Sequence, residues 1–190
     1  MGIEPSDTDL VARLRRQMPG AFDEVYRRYR EPVWRFLHRL CGRRDWAEDL
    51  FQDTWLAAAR NAHRLHESSQ LLPWLYTIAR NKHHNAFRAR FVERKRRAQA
   101  LVEPRDQPRE PDAETDARRR AAKVEIAFAS LPDAYREVLL LSMEGLTTDA
   151  VAGILGIRED AVRKRLSRAR AELARKLDIP ETRGTSHDRS

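Results

Sequence analysis

Two stretches of this chain carry residue types that act on polyanions, and a third carries the opposite charge. Between positions 158 and 176 there are eight basic residues (Arg158, Arg163, Lys164, Arg165, Arg168, Arg170, Arg175, Lys176) against Glu159, Asp160 and Glu172. Arg163 with Ser167, and Lys164 with Arg168, are i, i+4 pairs on the face away from an apolar stripe of Val162, Leu166, Ala169 and Leu173. A helix with such a face fits the major groove of DNA, where Arg and Lys reach guanine edges and others neutralise phosphates. From 80 to 97, eight Lys and Arg are opposed only by Glu93. A basic helix of that kind, following a loop, suits a phosphate backbone and splayed single-stranded bases. The opposite sign appears in Asp45-Trp-Ala-Glu-Asp-Leu-Phe-Gln-Asp-Thr-Trp. There Asp49 and Asp53 lie one helical turn apart with Gln52 alongside. Acids near a helix start complement its dipole, which is the plainer account of that face.

The elements that must position these residues are all helical. Leu10, Val11 and Leu14 share a face; Phe22, Val25, Tyr26 and Tyr29 follow i, i+3, i+4, i+7; Val33, Trp34, Leu37 and Leu40 repeat the pattern. Asp45 with Glu48 reads as a capping box opening a helix that buries Leu50, Thr54, Trp55 and Ala58. Residues 61–70 break the periodicity and read as a loop, and Pro73 then suits the first turn of a helix carrying Trp74, Leu75 and Ile78. Prolines at 104, 108 and 111, many charges and few large apolar residues mark 98–117 as a flexible linker. Apolar spacing resumes at Val124, Ala127, Phe128 and Leu131, and again at Val138, Leu139 and Leu141. Leu146 to Leu166 reads as helix-turn-helix: a short helix with Val151, Ile154 and Leu155, a turn at Gly156, Ile157 in the angle, then the basic helix. The architecture is therefore all-α: two small helical domains, 8–97 and 118–177, a linker between them, and a polar tail at 178–190 expected to be disordered.

Composition narrows the function. The chain has 190 residues, 37 Lys and Arg against 29 Asp and Glu, a net charge of +8 and one cysteine, Cys41. One thiol excludes an intramolecular disulfide and a cysteine-based zinc finger. The absence of a long apolar run excludes membrane insertion, and an acidic N-terminus does not resemble a signal peptide, so a cytoplasmic location and a nucleic-acid partner are expected.

Taken in order, Ala21-Phe22…Tyr26…Tyr29, Ala47-Glu-Asp-Leu-Phe-Gln-Asp-Thr-Trp, Trp74-Leu-Tyr-Thr-Ile-Ala-Arg-Asn, Leu131-Pro…Arg136-Glu-Val-Leu and Gly156-Ile…Val162-Arg-Lys-Arg-Leu-Ser-Arg-Ala-Arg resemble the extracytoplasmic-function (ECF) sigma factors of bacterial RNA polymerase. The resemblance implies a sigma region 2 and a sigma region 4, in agreement with the two-domain split. It implies a transcription initiation factor that binds core polymerase, reads a −35 element as duplex, and melts and captures a −10 element. By position it assigns Asp49, Leu50, Phe51, Gln52 and Asp53 to the clamp helices of the largest polymerase subunit. Leu65, His66, Asn81, Lys82, Asn85 and Arg88 fall to −10 DNA, and Arg163, Lys164, Ser167 and Arg168 to −35 DNA. The flap of the second-largest subunit and an anti-sigma factor are the further partners it implies. The 64–72 loop departs from the family pattern of aromatic, glycine, aromatic: here stand Leu65, His66, Glu67, Leu71 and Leu72.

Other chemistries find little support in the residues. His83-His84 and His63-x-x-His66 lack the H-E-x-x-H pattern, so no metal is assigned, nor any cofactor. No nucleophile–base series or phosphate-binding loop emerges, so no enzymatic activity is assigned. An autonomous helix-turn-helix regulator would explain 118–177 equally well but not the acidic face beside the basic helix. The linker makes a testable statement: brief proteolysis is expected to cut within 98–117 first and leave two helical fragments, whereas uniform protection would indicate a single fused domain.

Overall fold

The computed structural model describes residues 5–97 and 116–177. Its α-helices are α1 (Asp7–Arg15), α2 (Ala21–Cys41), α3 (Arg44–Asn61), α4 (Leu71–Arg97), α5 (Asp116–Ala129), α6 (Asp133–Met143), α7 (Thr148–Leu155) and α8 (Glu159–Lys176), with a 3₁₀ turn at Ala62–Arg64. Among the described residues there is no strand, in keeping with the all-α reading. The expected tail, and the expected linker up to residue 115, lie outside the described residues; Asp116 and Ala117 already belong to α5.

Local chemistry sets the helix ends. Ser6 opens α1 with a reciprocal capping box, its Oγ accepting from the Asp9 amide at 3.1 Å while its own amide donates to Asp9 Oδ2 at 3.2 Å. The sequence reading of Asp45 as a cap is corrected: α3 begins at Arg44, with Arg43 at the N-cap and no side-chain cap. The reason is the shortness of the connection. Gly42 ends α2 at φ +66°, a left-handed conformation costly for other residues, so the chain re-enters helix two residues later. Asp45 instead pairs with Arg43, and Glu48 with Arg44 at 2.8 Å. Residues 61–64, read as loop, extend α3 by one residue and a 3₁₀ turn.

The first unit closes α1–α4 around Leu10, Val11, Val25, Val33, Leu37, Leu40, Leu71, Leu75 and Tyr76, all fully buried. An aromatic cluster fixes α3 on α2: Phe22 meets Trp55 edge-on at 5.9 Å, Tyr26 meets Trp55 at 4.8 Å, and Trp34 meets Phe51 at 5.6 Å. Thr54, buried on the same face, satisfies its hydroxyl by donating to the Leu50 carbonyl at 2.7 Å. Arg28 and Tyr29 on α2 both bond Asp7, tying α1 down; burial first, then that carboxylate, pushes the Tyr29 phenol up to about 12.

The second unit comprises α5–α8, and it is docked on the first. α2 packs on α6, and α4 packs on α7. Helix α6 has five consecutive buried residues, Glu137 to Leu141. A helix covered all round needs neighbours on every side, and the first unit supplies one of them. Glu137, 1% exposed, is the polar centre of this seam. Arg80 on α4 donates Nε to its Oε2 at 3.1 Å and reaches the Ile154 carbonyl on α7 at 3.5 Å, and His84 bonds its Oε1. Removing one partner from a buried pair of this kind typically costs about 3–5 kcal/mol, because a charge is left desolvated.

Cys41, at the end of α2, is buried, and burial pushes its thiol up to about 12 despite nearby Arg136 and Arg90. The thiolate is the reacting species. Iodoacetamide labelling of the native chain at pH 8 is therefore expected to run at least ~100-fold slower than labelling of the urea-unfolded chain. Equal rates would show that Cys41 is accessible.

Candidate nucleic-acid interface

The helix-turn-helix forms as its residues dictate. Thr147 caps α7 by accepting from the Ala150 amide at 3.2 Å, and Gly156 stops it at φ +65°. Val151, Ile154 and Leu155 are buried, Ile157 fills the angle, and α8 returns Val162 and Ala169 to the core with Leu166 and Leu173 beside them. That anchoring leaves Arg163, Lys164, Ser167 and Arg168 together on one exposed face of α8. Arg163 pairs with Glu159 at 3.1 Å and Lys164 lies 3.7 Å from Asp160, so the first turn orients both cations. Among the described residues no carboxylate pairs with Arg168.

On α4, Asn81, Asn85, Phe87, Arg88, Ala89 and Arg90 are exposed among the described side chains, with Lys82 half-buried. Arg80, counted with this basic run in the sequence, turns the other way into the seam. Phe87 was missed: it is 41% exposed, stacked on His83 at 6.2 Å and one residue from Arg88. An aromatic embedded in a basic run was the available signal. Arg90 lies over Trp46 at 4.6 Å, a cation–π contact that holds α4 to the start of α3.

The 65–70 connection is tethered. Leu65 is buried in the core, His66 is exposed with Nδ1 2.9 Å from the Ser68 hydroxyl, and Glu67 pairs with Arg15 of α1. Leu65 thus anchors the loop instead of lining its surface, and Leu71 is likewise buried.

On α3 the exposed face holds Asp49, Gln52 and Asp53, whereas Leu50 is buried and Phe51 half-buried in the aromatic cluster. Asp53 reaches Lys82 of α4 at 3.9 Å, so the acidic and basic faces adjoin. No described helix is long and apolar enough to cross a membrane.

Two helical units, the second a helix-turn-helix presenting an exposed basic helix, define the class of protein. The model for Sigma-70 region 2 matches residues 25–91 and the model for Sigma-70, region 4 matches residues 123–173. ECF RNA polymerase sigma factor SigM of Mycobacterium tuberculosis H37Rv is 31% identical over 181 residues, covering 94% of this chain and 88% of the relative. SigE of Mycolicibacterium smegmatis is 30% identical over 184 residues, covering 90% and 69%. A Xanthomonas campestris relative, "Probable RNA polymerase sigma factor RfaY", is 35% identical over 138 residues, 69% of this chain; the chain spans 34% of its length. The fold matches the sigma factor RpoE from Bartonella quintana, solved with the anti-sigma factor NepR, at a TM-score of 0.71 and 24% identity, covering 85% of this chain and 99% of that one. The chain belongs to the ECF sigma factors of RNA polymerase.

Proposed function

We propose that this chain binds core RNA polymerase and directs it to promoters, with α8 reading a −35 element in the major groove and α4 holding the melted −10 strand. The observation that carries the reading is the adjacency of two exposed faces of opposite sign. Asp49 and Asp53 on α3, with Gln52 alongside, suit a protein partner, because DNA phosphates would repel the two carboxylates. The neighbouring face of α4, with Asn81, Lys82, Asn85 and Arg88, suits a phosphate backbone. Asn81 and Asn85 offer hydrogen bonds to base edges, His66 offers a ring in the loop, and Phe87 offers a second π-face. The acidic face seats on the clamp helices of the largest subunit, and the flap of the second-largest subunit is a further contact. Leu50 and Leu65 serve by anchoring α3 and the loop, and Phe51 by packing under the acidic face. An anti-sigma factor, of the kind solved with RpoE from Bartonella quintana, is the expected regulator.

Two measurements test this reading. Asp49→Arg with Asp53→Arg is expected to abolish co-purification with core polymerase while changing stability by only about 0.5 kcal/mol, as exposed substitutions do. Undiminished co-purification would overturn the clamp assignment. Arg168→Ala, assayed with polymerase holoenzyme, is expected to cost about 1–3 kcal/mol at a cognate promoter. An equal loss on scrambled DNA would assign Arg168 to phosphate alone.

A further inference from the structure

The seam between the two units holds a group that the ECF reading does not use. His83 is 1% exposed, and neither of its ring nitrogens finds a hydrogen-bond partner. A buried imidazole normally bonds through at least one nitrogen. The ring is fixed in place, with Trp46 5.0 Å away and Phe87 stacked at 6.2 Å. His84 follows directly, its ring centroid 6.0 Å from that of His83 and its plane turned by 71°. Glu137 comes in from α6, and the donor atoms of His83, His84 and Glu137 lie within 4.8 Å of one another.

We propose that His83, His84 and Glu137 form a site for a divalent transition-metal ion of the zinc class, which clamps α4 of the first unit to α6 of the second. Two imidazoles and one carboxylate are the donor types zinc takes in three-ligand sites, with water in the fourth position. His84, whose side chain is 35% exposed, leaves that position open to solvent. Tetrahedral zinc places its donors about 3.3 Å apart, so the set contracts modestly, and the half-exposed His84 has room to swing. Arg80 already holds Glu137 Oε2 at 3.1 Å, which aims Oε1 at the histidines as an outer-sphere partner does in known sites. Asp133 and Glu137 are offset by Arg136, by Arg80 on Glu137 and by Arg90 over Trp46, so the local field is not net negative. Imidazole donors rather than a net negative field therefore supply the affinity, which disfavours Mg²⁺ and Ca²⁺ and favours Zn²⁺. An ion bound there stabilises the docked arrangement by an amount that grows with the logarithm of its free concentration relative to Kd.

No local pattern announces this set, because the third donor lies 53 residues from His84, on the other unit. The proposal rests on the seam alone, so its failure would leave the promoter-directing role untouched. The test uses the tag-free full chain, titrated with Zn²⁺ by calorimetry and with Co²⁺ by visible absorption. The expected result is one ion per chain, with His84→Ala and Glu137→Gln each weakening binding by at least about 10-fold and His63→Ala leaving it unchanged. Glu137→Gln keeps an acceptor for Arg80, and His84→Ala alters a half-exposed position, so the latter decides if the former unfolds. Failure to retain Zn²⁺ at micromolar concentration would overturn the proposal. So would binding undiminished in His84→Ala, or binding lost in His63→Ala.

Discussion

A carboxylate with almost no contact with water, Glu137, sits where the two helical units meet, and its partners belong to the other unit. Desolvating it is costly, so the seam holds only if Arg80 and His84 arrive together to offset that cost. An apolar seam would tolerate sliding, whereas this one fixes the register of α4 against α6 and α7. It also divides the surface of α4 in two. Arg80, His83 and His84 serve the seam, while Asn81, Asn85 and Arg88 stay in solvent. One helix thus holds the two units together on one side and presents an exposed polar and basic face on the other.

The α3 helix is divided by the same logic. Ala47, Leu50, Thr54, Trp55 and Ala58 return to the core at helical spacing, and the aromatic cluster with Phe22, Tyr26 and Trp34 sets the rotation of the helix. Asp49, Gln52 and Asp53 are exposed because their neighbours are buried. The Lys82–Asp53 pair at 3.9 Å is exposed and contributes little to stability. Its meaning is positional: it marks the line at which the acidic face of α3 meets the basic face of α4.

The helix-turn-helix unit shows how much depends on the turn. Gly156 at φ +65° lets α7 stop and α8 leave at an angle, and Ile157 fills the space between them. With that angle set, the apolar stripe of α8 docks and its cations face outward. Glu159 and Asp160 in the first turn of α8 complement the helix dipole and orient Arg163 and Lys164.

Periodicity in the sequence determined the helices, the helix-turn-helix and the basic and acidic faces, because each of those rests on interactions between residues three or four apart. Ordered motifs along the chain sufficed for the family. Helix ends were less legible: Asp45 has the composition of a cap, but the turn at Gly42 had already restarted the helix. The docking of the two units was invisible, since nothing local says that α6 is covered by α2 of the first unit as well as by α7 and α8 of its own. The same holds for His83 and His84, which read as members of a basic run until Glu137 is brought beside them. Tertiary structure alone decided those pairings, because burial of a polar group and its compensation by a partner 53 residues away are properties of the packed chain.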